Sequence, residues 1–137
     1  MSALSLTESE GATVRRMAAA VAVAWLGVCI HNRADLPQLP FLSIEYILPT
    51  ALWGLCLLSW LVRRTLAWPA ILLLVWGVVS LVGGFATVLP LPILPFDPPQ
   101  TLYHYSFHLV YAVAQLPVIS LSWREYRRKR PVGRVAA

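Results

Sequence analysis

Three histidines, His31, His104 and His108, are the most versatile side chains in this 137-residue sequence. His104 and His108 stand four apart, so on a helix they share one face and can hold a single ion between them. His31 or Glu45 would supply a third ligand and complete a divalent-metal site. Alternatively, His31 with one of the other two provides the axial imidazoles of a b-type haem in a helical bundle. Asn32, Arg33, Asp35, Tyr46 and Tyr111 form a supporting polar set around these positions. Their expected roles are hydrogen bonds to the rings and an Arg33 pair with Asp35 or Glu45. Glu45, Asp35 and the histidines also have the side chains for general acid–base work. Yet no G-x-S-x-G, no H-E-x-x-H and no phosphate-binding glycine loop is present, so catalytic residues stay unassigned.

The elements that must position these residues follow from composition. Hydrophobic residues make up 58% and charged residues 12% of the chain, with a mean hydropathy of +0.68. Soluble domains carry roughly 25% charged residues. A chain this short has no soluble core large enough to hide the apolar surplus, which excludes a soluble globular domain and, more firmly, a disordered chain. Residues 17–30, 46–62, 65–96 and 98–123 contain no Asp, Glu, Lys or Arg. They predict an all-α polytopic membrane protein, a bundle of four spans over about 14–33, 41–62, 67–89 and 98–123. Residues 1–13 read as a frayed tail and 124–137 as a basic tail, with no room for a separate soluble domain. The first apolar run is only about 21 Å long as a helix, against a hydrocarbon core of about 30 Å. Arg15 and Arg16 must therefore snorkel, or the helix must continue through His31, Asn32 and Arg33. At the fourth span, Asp97 has the side chain of an N-cap, Pro98 suits the first helical position, and Gln100 falls at the capping-box position.

Orientation follows from the basic residues. Of the 11 Lys and Arg, all but Arg33 fall on one side of the spans. That asymmetry puts both termini in the cytoplasm; the small size and lack of organelle signals point to a bacterial plasma membrane. Arg124, Arg127, Arg128, Lys129 and Arg130, beside Trp123 and Tyr126, suit lipid headgroups at about 1 kcal/mol per basic residue. The same clustering, rather than the net charge of +5, argues against nucleic acid as a partner. The expected partners are the lipid bilayer and a larger membrane complex or a second copy. Cys29 and Cys56 fall at different depths and are expected to be unbridged. Residues 36–41 and 91–96 both spell L-P-x-L-P-F, a weak sign of two related hairpins.

Helical phase sorts the remaining polar groups. Ala20, Ala24, Gly27 and His31 share a face, as do Gly77, Ser80 and Gly84, and as do His104, His108, Tyr111 and Gln115. Gly27, Gly77, Ser80 and Gly84 are therefore expected where helices touch. His31 closes the first span, Glu45 lies a turn into the second, and His104 and His108 open the fourth. The imidazoles and acids thus gather at the extracytoplasmic end. That one-sidedness argues against a transporter, whose substrate groups usually sit near the midplane. The resulting reading is a small structural or accessory subunit with a polar His/Glu/Tyr cluster at that end. The alternative is a haem b or divalent-metal protein that uses His31, His104 and His108.

Overall fold

The structure, a computed structural model, describes residues 3–94 and 97–130. Its helices are α1 (Ala3–Asp35), α2 (Ile44–Val62), α3 (Trp68–Ala86) and α4 (Leu102–Lys129). All 4 are long and apolar enough to cross a membrane. Each helix packs against its neighbours in sequence, and α1 closes the ring against α4. The broadest seams are those of α4 with α1 and with α3, while α2 touches α1 and α3 along narrower ones. Short connections between long helices favour this antiparallel arrangement.

The bundle is apolar on its outside as well as its inside. Leu55, Val82 and Leu109 are each about 60% exposed, whereas Trp53, Trp60, Met17, Leu73 and Val118 are fully buried. Such a surface suits hydrocarbon, where burial between helices rests on close packing rather than on escape from water. Glycines permit that approach at the α4 seams. A Cβ at Gly27 would lie 2.5 Å from Ala114 Cβ, and one at Gly84 would lie 2.6 Å from the Tyr111 ring. Gly77 meets Ile119 and Val118 in the same way, and Ser80 is buried on the same helix.

Three helix starts differ from the sequence-based expectation, α2 by the least, at Ile44 rather than about 41. α1 begins at Ala3, well before residue 14. Residues 3–13 contain no proline and a single glycine, so nothing in them stops a helix that the apolar run already nucleates. The Thr13 hydroxyl turns back onto the Ser9 carbonyl at 3.1 Å, and Val14 packs on the core. α1 also continues through His31–Asp35, which resolves the shortness of its apolar run.

At the other end of the sequence, α4 starts at Leu102 rather than 98. Pro99 disfavours helical geometry at Pro98, so Asp97–Gln100 stay outside the helix. Thr101 is the N-cap instead, its hydroxyl accepting from the His104 backbone N–H at 3.2 Å. Gln100 does not form a capping box; it donates to the carbonyls of Val88 and Pro98 and accepts from the Tyr105 hydroxyl. The first L-P-x-L-P-F segment forms turns between α1 and α2. The second ends on Pro95 and Phe96, outside the described residues, as do residues 131–137 of the basic tail. Cys29 and Cys56 are both free thiols.

Candidate metal centre

The site begins with two backbone carbonyls that helix chemistry leaves unpaired. Pro49 lies inside α2 and has no N–H, so the carbonyl of Glu45, four residues earlier, loses its helical donor. The Asn32 amide takes that place, donating from Nδ2 to the Glu45 carbonyl at 2.8 Å. The second carbonyl belongs to Gly84, in the last turn of α3, where helical donors run out. His108 Nδ1 lies 2.7 Å from it.

These carbonyls settle which ring nitrogens carry protons. A carbonyl only accepts, so Asn32 must turn its Nδ2 toward Glu45 and its Oδ1 the other way. Asn32 Oδ1 lies 3.1 Å from His31 Nδ1, which must therefore donate to it. By the same logic His108 Nδ1 donates to Gly84. In its neutral form each ring then presents Nε2 as a lone pair, the form that binds metal ions.

Those lone pairs converge. His31 Nε2 and His108 Nε2 are 3.0 Å apart, with ring centroids 4.2 Å apart and nearly perpendicular. Asp35 Oδ2 lies 3.2 Å from His31 Nε2 and 3.5 Å from His108 Nε2. A carboxylate also only accepts. With both rings neutral, three acceptors face one another with no donor among them, an arrangement that a shared proton or a metal cation would relieve. With metal–ligand bonds of about 2.0–2.2 Å, the edge of a tetrahedral site is about 3.3 Å. The distances of 3.0, 3.2 and 3.5 Å bracket that edge. His31, Asp35 and His108 are the group among the described residues whose ligand atoms all lie within 4.8 Å of one another.

His104 holds the carboxylate from behind. Its Nδ1 donates toward Asp35, 3.1 Å from Oδ2 and 3.2 Å from Oδ1, while its Nε2 is buried with no partner among the described residues. The Thr101 cap anchors its backbone. The side chains of His104 and His108 are 7% and 4% exposed, against 16% for His31 and 18% for Asp35. The site is therefore open on the α1 side and closed on the α4 side.

The structure redistributes the roles expected from sequence. His31, His104 and His108 come together, but Glu45 joins them through its backbone carbonyl, and Asp35 supplies the central carboxylate. Sequence spacing carried a signal for this, because His31 and Asp35 stand four apart on α1 just as His104 and His108 do on α4. Arg33 pairs with neither acid; its guanidinium donates to the Pro37 carbonyl beyond the helix end. Tyr111 lies against His31 with ring centroids 5.4 Å apart, one turn below His108 on α4. Tyr46 is buried, with its hydroxyl lacking a partner among the described residues. Gln115 donates to the Ala24 and Tyr111 carbonyls at 3.2 Å each and ties α4 to α1.

The chain matches no protein-family model, no curated protein and no solved structure, so its functional reading rests on this geometry.

Proposed function

We propose that this chain is an integral membrane protein that binds one divalent transition-metal ion at one end of its bundle. The ligands are His31 Nε2, His108 Nε2 and the Asp35 carboxylate, with His104 as the positioning residue for Asp35. The observation that carries the reading is the convergence of the Asp35 carboxylate with two Nε2 atoms whose rings commit their Nδ1 protons elsewhere. Two imidazoles and one carboxylate suit zinc, and equally an iron(II) site with open positions. A site with three protein ligands keeps a position for water or a further ligand.

The geometry does not favour haem. A bis-imidazole haem holds its rings on opposite faces of the macrocycle, whereas His31 and His108 touch edge to face with Asp35 beside them. The charge asymmetry of the sequence supports a topology with both termini in the cytoplasm. In a bacterial plasma membrane the centre would then lie at the extracytoplasmic surface.

The test is metal content and affinity of the full chain purified in lipid nanodiscs. Zinc titration should give one equivalent bound, and cobalt(II) should give the visible absorption of a low-coordinate nitrogen–oxygen site. A protein that takes up no equivalent of zinc, iron(II) or cobalt(II), and is unchanged by His108→Ala, would overturn the reading. The cluster would then be internal hydrogen bonding in a structural or accessory subunit.

A further inference from the structure

We propose that the cavity at the end of the bundle opposite the histidines binds a phosphate group, carried by a phospholipid headgroup or free in solution. The cavity holds about 420 Å³ and lies among the start of α1, the end of α2 and the end of α4. That is within the range of ligand pockets, roughly 300–1,000 Å³. Arg64, Arg128 and Lys129 line it together with Glu10 and Glu125, on a floor that includes Trp60.

Among the described residues that line it, the cations outnumber the carboxylates. Glu125 is the carboxylate for two of them: Oε2 lies 2.9 Å from Arg128 Nη2 and 3.2 Å from Lys129 Nζ. The Lys129 side chain is only 10% exposed. Its ammonium is out of solvent, makes no hydrogen bond of acceptable geometry among the described residues, and sits 5.6 Å from the centre of the Trp60 ring. An ammonium has three donors and no acceptor, so burying it this way calls for a further anion. Arg64 forms no ion pair among the described residues and is exposed at the cavity. With two carboxylates against three cations, the lining carries a net charge of one, which matches the single negative charge of a phosphodiester. The apolar floor extends that match to the glycerol end of a phospholipid. Arginine presents a planar fork to phosphate oxygens, and lysine a point charge.

The experiment uses the full chain in nanodiscs of phosphatidylcholine with a minor share of phosphatidylglycerol. Lipid retained after transfer to mild detergent is read by native mass spectrometry. Phosphatidylglycerol should be retained in preference to phosphatidylcholine. Arg64→Gln, which leaves the Glu125 pairs intact, should reduce that preference by about fivefold, the worth of one basic residue near a membrane surface. Arg63→Gln, exposed and outside the cavity lining, is the control and should leave it unchanged. Helical circular dichroism and monodisperse elution confirm folding of each variant. Displacement of the lipid by inorganic phosphate assigns the site to phosphate in general, and resistance assigns it to the lipid headgroup. Equal retention of the two lipids, or equal behaviour of Arg64→Gln and Arg63→Gln, would overturn the proposal.

Discussion

The two ends of the bundle carry opposite deficits. At the end formed by the close of α1 and the opening of α4, His31 Nε2, His108 Nε2 and the Asp35 carboxylate converge, and with neutral rings none of the three is a donor to the others. At the other end, Lys129, Arg128 and Arg64 are donors that share too few carboxylates. On the proposed readings, one end receives a cation and the other an anion. Their construction also differs. The acceptor end is held by backbone carbonyls that a proline and a helix terminus release, which place a proton on Nδ1 of His31 and of His108. The donor end is held by long side chains on the last turns of α4, where positive charge complements the helix dipole in any case. Unpaired groups at the first end therefore argue for a specific ligand more strongly than they do at the second.

The largest expected effect is His108→Ala, which removes a ligand from the closed side of the centre. Zinc affinity should fall by more than the roughly 100-fold that loss of an outer partner produces, as read by isothermal titration. Asn32→Ala leaves all three ligands in place but releases the His31 tautomer, and should weaken zinc by about 10–100-fold. Retained wild-type affinity in this variant would sever the link from Glu45 to His31.

Pro49→Ala sharpens the comparison further. An alanine N–H at that position regains the helical bond to the Glu45 carbonyl and competes with Asn32 for it. Zinc affinity should drop by about tenfold, the lower end of outer-partner effects, while the melting temperature of the metal-free protein rises. Parallel movement of both quantities would show that Pro49 acts only on folding. The smallest effect is the cross-term between the ends. Arg64→Gln should leave zinc affinity within about twofold, as expected for separated sites; a larger change would mean that the ends are coupled.

Much of this architecture was legible in the sequence. Apolar runs without charge announce the helices, and the common depth of the histidines anticipates their meeting. The errors have local causes. Residues 3–13 look polar enough to fray, yet they lack a stop signal and continue α1. Asp97 looks like a cap, but the Pro98–Pro99 pair keeps the chain extended and passes that role to Thr101. Glu45 was a reasonable third ligand by depth, but depth does not fix the rotation of α2 about its axis. That rotation places its backbone, opened by Pro49, against Asn32. Asp35 was within reach of sequence reasoning through its four-residue spacing from His31. The lone-pair convergence itself was not, because it depends on two carbonyls that become visible only when helix ends and partners are known.

The most direct test of the central claim is the tautomer of the two facing rings, measured by long-range proton–nitrogen NMR on the zinc-loaded protein. The account predicts that His31 and His108 both carry their proton on Nδ1, with both Nε2 resonances shifted by the metal. A proton on Nε2 of either ring, or zinc held through Nδ1, would contradict it.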